Sequence, residues 1–275
     1  MNKKILILDS GIGGVSTLVE IRKKLPSANI LYFADDEFLP YGDKSEQELF
    51  FHLKDVIERF ENEVCGVVLA CNTATGVAVE PLRQIFCFPI VGTEPAIVPA
   101  CKGGKRALVL VTPLESVQRK FARLAKDKNI VVCAMADLAG LIDECLLEAG
   151  DTSKLCECEL VCQRVESIEK LAKSQNIERI VLGCTHYVFL RHAGFFEEFL
   201  LFDGNVGVAK RAACFFENKG EGKTEFIFGS GNKKKSQTAL RLLNSILAHS
   251  RFESDFEEEE HSNCKTKPKH NNENN

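Results

Sequence analysis

Short β-branched apolar runs alternate along the chain with longer amphipathic stretches. Eight runs read as strands: Lys4–Leu8, Ile30–Ala34, Gly66–Ala70, Ile90–Gly92, Ala107–Val111, Ile130–Ala134, Ile180–Gly183 and Glu225–Phe228. Several are apolar at consecutive positions, as strands covered on both faces must be. Between them, Val15, Leu18, Val19 and Leu25 fall near helical spacing. Pro26 stops that run, because its ring removes a donor and clashes with the preceding turn. Pro81 lies within another helical stretch and predicts a kink or a helix start there. Strand–helix alternation of this kind predicts an α/β fold with mainly parallel sheets.

Two segments read alike. Val67-Val68-Leu69-Ala70-Cys71-Asn72-Thr73 resembles Ile180-Val181-Leu182-Gly183-Cys184-Thr185-His186. Each is a buried strand followed at once by cysteine and small polar residues. Asn72, Thr73 and Thr185 suit the turn and cap that precede a helix. Both thiols are therefore expected at carboxyl ends of parallel strands, where open α/β sheets bind ligands. Two such copies predict two related halves facing each other across a cleft. The expected division is 1–97 plus 205–252 for the first half and 98–204 for the second.

Composition narrows the class. With 275 residues, 45% of them hydrophobic, the chain can bury a sizeable core in one or two domains. A net charge of -4 gives no reason to expect nucleic acid or an anionic membrane as partner. The basic run Lys233, Lys234, Lys235 reads as a solvated turn. No apolar run approaches the roughly 18 residues of a membrane span, and Asp9 interrupts the first one too early for a secretory leader. These features predict a cytoplasmic protein. Its twelve cysteines are then expected to be reduced thiols. Cys156, Cys158 and Cys162 lack the C-x-x-C spacing of a zinc knuckle and read as packing thiols, with no metal expected.

The paired cysteines suit one chemistry well. Inverting an α-carbon needs a proton taken from one face and another delivered to the opposite face. One thiolate and one thiol on opposite sides suffice, and thiols tune readily near neutral pH. His186 follows Cys184 by two residues and can carry a proton. Asp9 ends the first strand, so adjacent parallel strands bring its carboxylate near Cys71. The loop Ser10-Gly11-Ile12-Gly13-Gly14 offers backbone N–H groups to a carboxylate, or to the phosphate of a nucleotide. It is only a fragment of the dinucleotide pattern, and Asp35 and Asp36 only come close to the place of a ribose partner.

Four motifs together, Asp9-Ser10-Gly11, Pro40-Tyr41-Gly42, Ala70-Cys71-Asn72-Thr73-Ala74 and Gly183-Cys184-Thr185-His186-Tyr187, resemble in order and spacing those of the glutamate racemases of the aspartate/glutamate racemase family. The likeness covers most of residues 1–95 and returns around 178–212. It implies two flavodoxin-like halves related by a pseudo-twofold axis, with the site between them. It further implies interconversion of L- and D-glutamate for peptidoglycan without cofactor or metal, and a small amino acid as the partner. Whether the protein is a homodimer stays open. Carried over position by position, Cys71 and Cys184 match the catalytic thiols, and Asp9 and His186 their acid–base assistants. Asp9, Ser10, Tyr41, Gly42, Asn72, Thr73, Thr185 and His186 match positions that hold the amino acid.

The chain also departs from that pattern. Glu115 stands in a stretch usually rich in threonine, where a carboxylate facing the site would repel an anionic substrate. Asp143 or Glu144 stands for the family's assisting glutamate, and Val188 follows Tyr187 where proline is usual. Two rival readings follow: a related racemase or isomerase for another amino acid, and a binding paralogue without catalysis. Residues 253–275 carry Glu257–Glu260 and then Lys, His and Asn with almost no apolar content, which predicts disorder. Deleting 253–275 is expected to leave activity and melting temperature nearly unchanged; a drop of many degrees in a thermal melt would contradict this.

Overall fold

The computed structural model describes residues 3–113 and 129–250. Glu115 and residues 253–275 lie outside the described residues, so neither expectation about them meets a structural observation. Nine parallel-paired strands form two sheets. The first holds β1 (Lys4–Asp9), β2 (Ile30–Ala34), β3 (Val64–Leu69), β4 (Ile90–Gly92) and β9 (Thr224–Phe228) in the order β4-β3-β1-β2-β9. The second holds β5 (Ala107–Val111), β6 (Ile130–Ala134), β7 (Arg179–Leu182) and β8 (Leu200–Phe202) in the order β6-β5-β7-β8. All eight expected strands are present, four with the expected ends and four with ends shifted by a residue or two. Sequence reading missed β8, a three-residue strand too short to show a period.

If β1 is matched to β5, β2 to β6, β3 to β7 and β4 to β8, the two sheets share one strand order, with β9 added beside β2. The order is flavodoxin-like, with its switch point between the first and third strands of each half. The register repeats as well. Ala70 N–H donates to Leu8 C=O at 2.9 Å, and Gly183 N–H donates to Leu110 C=O at 2.9 Å. Cys71 and Cys184, one residue further on, therefore occupy equivalent places.

Helices cover both sheets: α1 (Val15–Lys24), α2 (Glu46–Phe60), α3 (Asn72–Ile85), α4 (Ile97–Ala100), α5 (Leu138–Ala149), α6 (Glu159–Ser174), α7 (Val188–His192), α8 (Asn205–Phe215) and α9 (Lys233–Ser250). The first helix ends just before Pro26 as expected. In contrast, α3 starts at Asn72 and runs through Pro81. Lys233–Lys235 open α9 rather than a turn, and Lys235 Nζ reaches the buried Asp36 at 2.6 Å. Central strands are buried along their length, whereas β6, at a sheet edge, is half exposed. One continuous apolar core runs from beneath β1 and β2 through α1 and α8 to α5, α6 and β7, and smaller clusters back each sheet. Ten of the described cysteines, Cys71 and Cys184 among them, are in no disulfide. No described helix is long and apolar enough to cross a membrane.

Candidate active site

Cys71 caps α3 at its N-terminus, with the Ala74 N–H and the Ser10 side chain near its thiol as donors. Those donors favour the thiolate. They are outweighed: burial, then the negative charge of Asp9, push the Cys71 thiol up to about 12. Relative to an ordinary thiol this is about 4 kcal/mol against ionisation. Cys184 is placed differently. A turn follows it, and α7 begins only at Val188, so no helix N-terminus meets this thiol as expected. His186 stands there instead, with Nδ1 3.8 Å from Cys184 Sγ.

His186 is a bridge. Its Nε2 lies 2.8 Å from Asp143 Oδ1. Burial opposes charge on the ring, but the hydrogen bonds and negative charges of Asp143 and Cys184 prevail and hold its pKa well above the usual histidine range. Burial likewise opposes ionisation of Asp143, yet His186, with the Ile12 N–H, keeps that carboxyl below its ordinary value. Of the two residues expected to replace the family's glutamate, Asp143 is therefore the one joined to the site. Its spacing alone could not have separated it from Glu144.

Asp9 serves the other side. It is fully buried, and its carboxylate accepts from Gly14 N–H at 2.9 Å and Gly11 N–H at 3.3 Å. Burial raises its pKa, while His186 and those N–H groups pull it back only in part. Asp9 is thus biased toward taking a proton, and its charge acts on Cys71. Its counterpart in the second half is the apolar Val111, one residue beyond Leu110 as Asp9 is beyond Leu8. The two thiols therefore have unlike partners, a carboxylate for Cys71 and an imidazole for Cys184.

The glycine loop joins the two sides. Ile12 N–H donates to Asp143 Oδ1 at 3.0 Å, and Thr185 Oγ1 lies 3.5 Å from Asp9 Oδ1. A Cβ on Gly13 would stand 2.5 Å from Thr185 Oγ1 and 2.6 Å from His186 Nδ1, and one on Gly11 would stand 2.6 Å from Asp143 Oδ1. The glycines are there because the second half packs directly on this backbone. With the N–H groups of Gly11, Ile12 and Gly14 already bonded to Asp9 and Asp143, the loop is no phosphate cradle, and those three are not free for a substrate carboxylate. Gly13→Ala is expected to displace His186, lowering stability by about 1–3 kcal/mol and activity by more than tenfold. Unfolding and initial-rate measurements check both effects.

The remaining expected residues divide. Ser10, Thr73 and Thr185 are buried beside the thiols, and Asn72, Cys184 and Thr185 line a crevice with Thr93, Asp203 and Asn205. Tyr41 donates its hydroxyl to Asp35 Oδ2 at 2.7 Å. Burial first, then the charges of Asp35, Cys71 and Asp9, keep its phenol well above the ordinary range. Gly42 is exposed, with open space around it. Sequence reading missed Ser16 and Asn205: Asn205 Nδ2 donates to Ser16 Oγ at 3.1 Å, and Ser16 Oγ reaches the Thr185 carbonyl at 3.1 Å. Nothing in their local sequence sets them apart from ordinary helix-start residues. Among the described residues no cluster of His, Cys, Asp and Glu is arranged to hold a metal ion.

Known proteins resemble this chain in sequence and in fold. A glutamate racemase of Leptospira borgpetersenii serovar Hardjo-bovis (strain JB197) is 37% identical over 216 residues, covering 75% of this chain and 80% of the relative. One of Bifidobacterium longum (strain DJO10A) is 32% identical over 265 residues, covering 86% and 97%. The crystal structure of Escherichia coli glutamate racemase with L-glutamate and the activator UDP-MurNAc-ala superposes with TM-score 0.70 at 25% identity, covering 90% of this chain and 96% of that one. The Aquifex pyrophilus glutamate racemase gives 0.65 at 25%, covering 87% and 94%. The model of the Asp/Glu/Hydantoin racemase family matches residues 25–200, and the chain belongs to that family.

Proposed function

We propose that this protein racemises glutamate, with Cys71 and Cys184 exchanging protons with opposite faces of the α-carbon. The observation that carries the reading is the pair of thiols at equivalent ends of two like sheets, with the Asp9 charge acting on one and His186 within 3.8 Å of the other. In one direction Asp9 takes the Cys71 proton, and the Cys71 thiolate removes the α-proton. The electron pair left on the α-carbon is delocalised into the adjacent carboxylate. The Cys184 thiol then protonates the other face and is re-protonated from His186. In the other direction the roles exchange, as reversibility requires. A substrate ammonium near Cys71 would offset part of the cost of forming its thiolate. Ser10, Asn72, Thr73 and Thr185 supply hydroxyls and an amide that can hold the substrate carboxylates without opposing the reaction.

The pairing of β9 with β2, and the packing of α8 on α1, support the return of the chain to the first half after residue 205. That is the division into 1–97 plus 205–252 and 98–204. The relatives' activity supports a cytoplasmic role in supplying D-glutamate for peptidoglycan. Incubation with L-glutamate in heavy water tests the reaction: optical rotation should decay while deuterium enters at the α-carbon. Aspartate and a neutral amino acid run in parallel separate this reading from a racemase of other specificity. Loss of rotation with either of them, and not with glutamate, would overturn the assignment.

A further inference from the structure

We propose that His52 is a positioning residue for Tyr41, acting through Asp35; the inference rests on the racemase reading only for its kinetic part. Asp35 follows directly on β2 and is 2% exposed. Its backbone N–H donates to the Asp9 carbonyl at 2.9 Å, which ties it to the first strand's end. Its Oδ2 receives two groups from different elements, the Tyr41 hydroxyl at 2.7 Å and His52 Nε2 at 2.6 Å. A carboxylate has no proton to give, so both neighbours donate, and the His52 proton facing Asp35 is on Nε2.

His52 is itself held firmly. Its ring stacks on Phe38, with centroids 3.8 Å apart and planes 8° from parallel. The Lys44 ammonium stands 4.8 Å from the centre of the same Phe38 ring. Ser45 and Glu48 form a capping box that fixes where α2, and with it His52, begins. One histidine thus joins α2 to Asp35 and Phe38 of the 35–44 loop.

The consequence lies at Tyr41. Its single hydroxyl proton is committed to Asp35, so toward the site the phenol oxygen can only accept. Without His52, one of the two donors fixing Asp35 Oδ2 is gone, and the carboxylate can turn away from Tyr41. The Tyr41–Asp43 turn would then lose its reference to the first sheet. His52 touches none of the proton-transfer groups, so its loss should weaken substrate binding and leave the chemical step alone.

The full chain with His52→Phe, which keeps the stack and loses the donor, is compared with His52→Gln, whose amide N–H can still reach Asp35. Two readouts are used: KM and kcat for glutamate, and the resonances of tyrosine labelled with carbon-13 at Cζ. The chain has three tyrosines, so Tyr41→Phe assigns the Tyr41 signal. His52→Phe should raise KM about tenfold, as loss of an aligned hydrogen bond would. It should leave kcat within about twofold and move or broaden the Tyr41 signal, and His52→Gln should restore both. An unmoved Tyr41 signal in His52→Phe, or an unchanged KM in an enzyme that racemises glutamate, overturns the proposal. Wild-type protein that fails to racemise glutamate overturns the functional reading, while the Tyr41 signal still decides the role of His52.

Discussion

Cys71→Ser and Cys184→Ser should each lower kcat/KM for glutamate racemisation by about a thousandfold or more. In the proposed mechanism each face of the α-carbon has one proton carrier, and a serine hydroxyl ionises too weakly to replace a thiolate. The two losses should differ in kind. Elimination from a substrate with a good leaving group on its β-carbon needs only one base. Each single variant should therefore keep elimination from one enantiomer, with opposite choices in the two variants. Optical rotation follows racemisation, and release of the leaving group follows elimination. Racemisation by either single variant at the wild-type rate would end the two-base assignment. The unlike surroundings, Asp9 at Cys71 and His186 at Cys184, lead one to expect kcat in the two directions to depend differently on pH, while kcat/KM stays equal for the two enantiomers because their equilibrium constant is one.

Asp143→Asn has the second largest expected effect. The carboxylate holds the His186 ring by Nε2 and keeps it charged, so its loss should misplace the proton partner of Cys184. A fall in kcat/KM of about a hundredfold is expected, with stability reduced by about 3 kcal/mol, since a buried cation loses its partner. Both folded-state shifts define a pH window. The raised His186 pKa gives stability that is complete below its ordinary 6.5 and disappears as pH rises through the folded value. The lowered Asp143 pKa gives stability that is complete above its ordinary 3.8 and disappears as pH falls through the folded value. The gap between wild type and Asp143→Asn should thus be widest between about pH 4 and 6.5 and narrow on both sides. Denaturant midpoints across that range test it; a gap between the two proteins that does not change with pH would show that the ionisation of the pair contributes nothing.

The local sequence by itself determined the strands, and hence both thiols at strand ends, because buried parallel strands are read from consecutive apolar residues and end where polar turn residues begin. It also determined Asp9 and His186 as neighbours of those thiols, since each is one strand or two residues away. Three things were decided only by tertiary structure. The first is the meaning of the glycine loop: Gly11–Gly14 suits a phosphate equally well until Thr185, His186 and Asp143 are seen packed against it. The second is the choice of Asp143 over Glu144, since adjacent helical residues point in different directions and only the direction of α5 shows which reaches His186. The third is the balance at Cys71. A helix N-terminus taken alone promises a reactive thiolate, but desolvation and the Asp9 charge depend on everything packed around the sulfur, and they outweigh the helix. Spacing along the chain reports which groups can meet, whereas their charge states depend on how completely the fold removes water from around them.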